Sequence, residues 1–553
     1  MKALKATAMA LGQGLHMPAT LARRGVLTPG RPDRIASQLT ALARWGMTPA
    51  GGFGSSAKRD PHRLAIIDDF GELTYAQLEE RTTRLAHAIA AHGLESKRTM
   101  RPTYPAATVP KVGLLCRNHR GFIETVVACS KIGADIVLLN TGSSLAQVKA
   151  TLADQKIELL VADQDFAEAC ESIPEAPPVI TADAPTDTPE SLEQLIAATP
   201  GEKLKPPTGR GRTIVLTSGT TGTPKGAKRP HPHLRSLTAM LSRIPLHVGD
   251  RVQIAAPLFH TWGYAAIQLS MAVRATLVLQ RRFEPAELLE SLARHQCRAL
   301  FAVPIMLQRM LDQPREVREA NDTSALRAVA LSGSRLPGDL ATRFMDSFGD
   351  VIYNLYGGTE FSWASIAGPK DLRRSPESAG RPPFGTRIEL LDENDQPVEP
   401  GQSGRIFVGN DMLSEGYTNG QSRRMAQGLM DAGDFGHLDE RGMLVVDGRA
   451  DDLVISGGEN VMPREVEDLL SGYLEVEDVT VVGVDDEEFG QRLAAYVVVR
   501  DGHELDAEQV RDRVRQNLAK HCIPRDVRFL ETLPRNPAGK VVPRLLEDSS
   551  TEE

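Results

Sequence analysis

From about residue 60, short apolar runs alternate with longer segments in which apolar residues recur every three or four positions. The runs lie at 112–116, 136–139, 159–162, 214–216, 277–279, 300–303, 328–331 and 351–355. Continuous runs of this length between helical segments predict strands covered on both faces, as in parallel sheets sandwiched by helices. In the first helical segment Thr74 and Gln77 have capping-box spacing, Leu78, Leu85 and Ile89 share a face, and Gly93 is a stop. The most apolar stretch, 126–139, is interrupted by Lys131 and Asp135. It predicts a buried helix and then a strand, because a membrane span needs about 18 uninterrupted apolar residues. Residues 174–199, rich in Pro, Ala and Thr, predict a surface connection.

After Arg381 the pattern changes. Apolar segments at 387–391 and 405–408 flank the turn-rich Asp-Glu-Asn-Asp-Gln-Pro, which predicts an antiparallel β element. The charged stretch GRADD at 448–452 marks a boundary, and 464–470, 479–484, 494–499 and 507–518 then predict a second helix and strand alternation. The expected fold is α/β: a large N-terminal domain of parallel α/β layers plus a β element, followed by a small mobile α+β C-terminal domain. The expected divisions are an arm at 1–60, a large domain at 61–449, a small domain at 450–545 and an acidic tail at 546–553.

Composition narrows the function classes. A chain of 553 residues exceeds one core and has the length of about three or four folding units. Its net charge of −8 gives no reason to expect nucleic acid as a partner. Five dispersed cysteines with no C-x-x-C spacing predict reduced core thiols and a cytoplasmic location. The first sixty residues are basic: Lys2, Lys5, Arg23, Arg24, Arg31, Arg34, Arg44, Lys58 and Arg59 face only Asp33 and Asp60. With Leu, Met and Trp45 among them, they have the makings of peripheral contact with an anionic membrane. The plainer expectation is an arm packed on the body.

Residues 217–229 read TSGTTGTPKGAKR, directly after an apolar run. Glycines that turn backbone N–H groups outward, hydroxyl donors and the positive charge of Lys225 suit a polyphosphate. A Walker A loop places Gly-Lys-Ser/Thr five residues after its first Gly; here Pro224 stands at that spacing from Gly219.

Four further stretches follow in order: YGGTE (356–360), AGDFGHLD (432–439), GRADDLVISGGENVMPREVE (448–467) and PRNPAGK (534–540). With LTSGTTGTPKG they resemble the adenylate-forming superfamily of acyl-CoA synthetases, peptide synthetase adenylation domains and luciferases, over about 60–545. The resemblance implies that a carboxylate is joined to AMP with release of pyrophosphate, and that a thiol then attacks the mixed anhydride. It implies ATP and CoA as cosubstrates and Mg²⁺ as cofactor. Thr217, Ser218, Gly219, Thr220, Thr221, Gly222 and Lys225 would cradle the phosphates, Glu360 would hold Mg²⁺ and Thr359 would contact the α-phosphate. Gly333, Ser334, Tyr356 and Gly357 would surround adenine, while Asp434 and Arg449 would fix the ribose hydroxyls. Lys540 would bridge the carboxylate and the α-phosphate, Asp451 would be the hinge for rotation of the small domain, and Gly457 and Gly458 would flank the CoA channel. His260 and Trp262, with Tyr264 beside them, fall at the acyl pocket in PLFHTWGY. Two positions depart from the family pattern: Ala432 stands where Thr is common, and LSGSRLP (331–337) replaces a usual Gly-Gly.

ISGGENV and PLFH most resemble bacterial medium- to long-chain fatty acid CoA ligases. A stand-alone acyl-AMP ligase that delivers to a carrier protein shares the adenylation motifs but typically carries an insertion that hampers rotation, and 381–460 shows no obvious extra segment. A non-catalytic, membrane-associated adenylate-binding protein would usually have lost the charged groups that this chain keeps. A homodimer is common among similar enzymes.

Overall fold

The computed structural model describes residues 16–94, 109–217, 225–456, 459–486, 490–536, 539–543 and 545–546. Two sheets dominate the large domain. The first has eight strands in the order Ser365–Ala367, Ile352–Tyr356, Ala328–Leu331, Ala299–Ala302, Arg251–Ile254, Thr276–Leu279, Leu64–Asp68 and Gly71–Thr74. Its interior pairs are parallel, and one antiparallel strand closes each edge. The second runs Val179–Thr181, Leu159–Ala162, Lys111–Leu115, Asp135–Leu138, Thr213–Thr217 and Lys225–Lys228, antiparallel only at the last pair. All eight apolar runs are strands, each within a residue or so of its expected bounds.

One core joins both sheets. Ile66, Ile254 and Leu277 of the first meet Val112, Leu114 and Ile136 of the second across the helices Tyr75–Ile89, Arg120–Ile132 and Thr261–Ala272. The capping box is formed: Thr74 Oγ1 accepts from Gln77 N–H, and Gln77 Oε1 accepts from Thr74 N–H. The stretch 126–139 is helix and then strand, as expected. Lys131 is buried within it and donates to Thr82 Oγ1 at 3.0 Å and Thr83 Oγ1 at 2.8 Å, which explains how a charged residue fits an apolar run. The stretch 174–199 departs from expectation. Val179–Thr181 adds an edge strand beside Leu159–Ala162, and Ser191 caps the helix Leu192–Ala198. Prolines around a three-residue edge strand hide it from periodicity, since edges tolerate missing N–H donors.

The described part of the N-terminal arm packs on the large domain. Arg24 is buried and donates from Nε to Leu241 O at 2.8 Å, and the helix Pro49–Arg59 sinks Phe53 into the main core. No described helix is long and apolar enough to cross a membrane. All five cysteines are free and buried.

The β element is a five-stranded antiparallel sheet that includes Arg387–Leu391, Gly404–Gly409, Leu429–Leu438 and Leu444–Arg449. A short turn of helix, Ala450–Asp452, leads from its last strand to the small domain. That domain has its own five-stranded sheet, centred on the long hairpin Val476–Asp486 and Gly490–Val499, with the helices Pro463–Ser471 and Ala507–Asn517 packed through Val466, Leu470, Val510 and Val514.

Candidate active site

A cavity of about 2240 Å³ opens where the large domain, the β element and the small domain meet, and most of the described residues among those singled out from the sequence line it. The strand Ile352–Tyr356 ends at the cavity and delivers Tyr356, Gly357, Thr359 and Glu360 to its wall. The Tyr356 hydroxyl donates to Asp434 Oδ2 at 2.5 Å. Asp434 lies opposite Arg449 in the antiparallel pair Leu429–Leu438 and Leu444–Arg449, so sheet register places the carboxylate beside the guanidinium. Burial raises the Asp434 pKa against the opposing pull of the Tyr356 hydroxyl, Arg449 and Lys540. Burial, and then the Asp434 charge, push the Tyr356 phenol well above its usual range.

Glu360 is buried, with Oε1 accepting from the Tyr417 hydroxyl at 2.6 Å and lying 3.7 Å from Arg423 Nη2. Thr359 Oγ1 is 2.9 Å from Thr261 Oγ1, and its carbonyl accepts from Arg229 Nη1 at 3.2 Å. Arg229 also donates to Ser362 Oγ at 2.9 Å, and burial lowers its pKa to about 10. One buried carboxylate with a hydroxyl neighbour fits a hard divalent cation that shares its other positions with phosphate oxygens and water. Arg229, Tyr417, Arg423 and Thr261 were not singled out as site residues. Arg229 had a signal, as the last basic residue of the loop; Tyr417 and Arg423 had none, because they reach Glu360 through a tertiary pairing of Tyr417 with Ala227. Asn354, two residues before Tyr356, also lines the cavity.

Thr217 and Lys225 pair across the ends of the glycine-rich loop, with Thr217 on the Asp135–Leu138 side of the sheet. Ser218, Gly219, Thr220, Thr221 and Gly222 lie outside the described residues, as do Gly457 and Gly458. The strands on either side of that second pair, Val454–Ser456 and Glu459–Val461, are antiparallel partners. Asp451 falls within the short helix that joins the domains. Gly333 has φ +96°, which favours glycine at this bend, and lines the cavity with Ser334.

Lys540 comes from the small domain to the same cavity. Its side chain is exposed to the cavity, and desolvation by the surrounding walls followed by the Arg449 charge lowers its pKa, while Asp434, Glu360 and Asp452 oppose the shift. The loop carrying it is closed by hydrogen bonds between Asn536 and Lys540: Asn536 Oδ1 accepts from Lys540 N at 3.0 Å, and Asn536 N donates to Lys540 O at 2.8 Å.

On the same cavity, His260 precedes the helix Thr261–Ala272, and its Nε2 is buried without a hydrogen-bond partner. Burial and then Lys540 depress its pKa to about 4, so the imidazole is neutral at pH 7. Trp262 lines the cavity but ties Nε1 to Ala302 O at 3.1 Å. Tyr264 is turned away from the cavity: it is buried, and its hydroxyl meets Thr213 Oγ1 at 2.8 Å. It is therefore core and not acyl pocket, because one helical step past Gly263 points it at the second sheet. Away from the cavity, Cys116, His119 and Asp163 converge within 4.8 Å. His119 Nδ1 accepts from Gly121 N at 3.1 Å and Nε2 meets Asp163 Oδ1 at 2.7 Å, which leaves neither nitrogen for a metal.

Comparison with known proteins agrees with this geometry. Residues 53–418 match the AMP-binding enzyme family, and residues 465–540 match the AMP-binding enzyme C-terminal domain. A feruloyl-CoA synthase from Amycolatopsis is 32% identical over 501 residues, covering 88% of this chain and 96% of its own length. A 2-succinylbenzoate–CoA ligase from Bacillus subtilis is 30% identical over 503 residues, covering 90% and 97%. Among solved structures, o-succinylbenzoate CoA synthetase from Bacillus subtilis in complex with the acyl-adenylate intermediate is similar with a TM-score of 0.76 at 28% identity, over 91% of this chain and 99% of that one. A structure of the same synthetase with ATP and magnesium ion is similar with a TM-score of 0.75 at 28% identity, over 90% and 99%. The chain belongs to the AMP-binding enzyme family, within the adenylate-forming superfamily.

Proposed function

We propose that this chain is an AMP-forming acid–CoA ligase whose substrate is an aromatic or arylalkyl carboxylic acid. The observation that carries the reading is convergence: Lys540 of the small domain shares one cavity with Glu360, Asp434 and Arg449 of the large one. Joining a carboxylate to ATP crowds negative charge at the α-phosphate, and a site that supplies fixed positive charge there lowers the barrier. Lys540 supplies it between the carboxylate and the α-phosphate, with Thr359 donating a hydroxyl from the wall. Asp434 and Arg449 hold the ribose hydroxyls, Tyr356 with Gly333 and Ser334 flanks the base, and the loop from Thr217 to Lys225 cradles the outer phosphates. Glu360 would hold Mg²⁺, which neutralises phosphate charge when bound. Rotation about Asp451 would then withdraw Lys540 and bring Gly457 and Gly458 to the site for attack by CoA.

The aromatic class is supported by the relatives, which are named for feruloyl and succinylbenzoate substrates. A fatty acyl chain is the second reading, favoured by Leu237, Met240 and Leu269 on the cavity wall. Mass spectrometry of products from ATP, Mg²⁺ and a mixed panel of aromatic and alkyl acids, with and without CoA, tests both. Acyl-CoA from aromatic acids, only when CoA is present, is the expected result. Alkyl acyl-CoA instead would favour the second reading, and acyl-AMP unchanged by CoA would favour an acyl-AMP ligase serving a carrier protein.

A further inference from the structure

The inner wall of the cavity is built by two helices, Leu234–Arg243 and Thr261–Ala272. The second presents Thr261, Ala265, Gln268 and Leu269 to the space, positions that share one face of a helix. The first presents Ser236, Leu237 and Met240. Nearly every polar group on these two surfaces is already engaged. Ser236 Oγ donates to His233 O at 2.7 Å and accepts from His233 N, Thr261 meets Thr359, and Trp262 Nε1 is held by Ala302 O. Among the described polar side chains that these two helices themselves present to the cavity, Gln268 alone has no hydrogen-bond partner, and it is half-buried.

Its position gives the amide a meaning. Thr261 marks the reacting end, through its contact with Thr359. Gln268 lies seven residues further along the same face, about 10 Å of axial rise away. That separation corresponds to an aromatic ring on a short arm, with the carboxylate at one end and a ring substituent at the other. An amide offers two donors and an acceptor, and a hydrocarbon chain packed over it would strip its water and return nothing. A hydroxyl, carbonyl or second carboxylate at the far end of the acid would satisfy it instead.

We infer that Gln268 is a specificity residue that hydrogen-bonds a polar substituent at the distal end of an aromatic acid substrate, in a wall that it shares with the apolar Leu237, Met240 and Leu269. This rests on the reading of the chain as an acid–CoA ligase. The test uses the full chain with ATP, Mg²⁺ and CoA, and compares kcat/KM for cinnamate with its 2-, 3- and 4-hydroxy derivatives. The wild type is expected to favour at least one hydroxylated acid by about tenfold, the scale of one hydrogen bond in a partly solvated pocket. In Gln268→Leu that preference collapses towards unity through a higher KM for the hydroxylated acid, while cinnamate is used as well as before or better. Gln268→Asn, which keeps the amide but shortens its reach, should retain part of the preference and serves if the leucine variant does not fold. Equal discrimination in wild type and variants overturns the inference, as does a proportional loss on all four acids, which would make Gln268 a packing residue. Failure of the wild type to form acyl-CoA from any acid in the wider panel would instead remove the ligase reading beneath it.

Discussion

Lys540 couples charge to position. Its lowered pKa means that the ammonium is present below that value and lost as pH rises through it, earlier than for a free lysine. Pyrophosphate release in the first half-reaction should therefore fall on the alkaline side, whereas Lys540→Arg, charged throughout, should flatten that limb. Lys540→Ala should slow adenylation by about 10²- to 10³-fold, the usual cost of removing one fixed charge or donor from such a site. Thioester formation from supplied acyl-AMP should change by less than about tenfold, or 1.4 kcal/mol of barrier. Its neighbour Gly539 has φ +80°, and a Cβ there would stand 2.8 Å from Ile305 Cγ2 of the large domain. Gly539→Ala adds about 1–2 kcal/mol of backbone strain to that clash, so stopped-flow measurement of adenylation should show about a tenfold loss or more. At this scale the sequence was most legible where a residue type is forced by chemistry: Glu360, Asp434, Arg449 and Lys540 stand on one cavity. Tyr417 and Gln268 were illegible because nothing in their local spacing says what they face.

Between elements, an ion cluster crosses the domain boundary. Arg335 of the large domain meets Glu377 Oε2 at 2.6 Å and also contacts Asp468 of the helix Pro463–Ser471, where Arg464 Nε lies 3.6 Å from Asp468 Oδ2. Burial, followed by the like charge of Arg335, lowers Arg464 to about 10. Partly exposed pairs contribute about 0.2–1 kcal/mol, so Arg335→Ala should reduce adenylation by up to about fivefold, and more weakly at high salt, while leaving thioester formation intact or faster. A ratio of half-reaction rates unchanged between 50 mM and 500 mM salt would argue that these charges do not hold the closed arrangement. Elements themselves were readable wherever burial enforced a pattern, as at Leu159–Ala162 and Ala328–Leu331. Val179–Thr181 escaped because a strand of three residues carries too little pattern, and its identity comes from the neighbour that it pairs with.

For the whole molecule, α/β layers followed by a small domain were legible because helices and strands alternate at regular intervals. The meeting of the domains was not, since Arg335 and Asp468 lie 133 residues apart in the chain and no local rule relates them. Only one covalent path links the two bodies, the short helix Ala450–Asp452. A tether that short keeps the small domain at an effective concentration on the order of millimolar, so even feeble docking suffices to populate the productive arrangement. Severing it would turn an intramolecular equilibrium into a bimolecular one. An enzyme carrying a protease site in this helix should adenylate normally before cleavage. Afterwards, its specific activity should decline on dilution through the micromolar range, whereas that of the uncut protein stays constant.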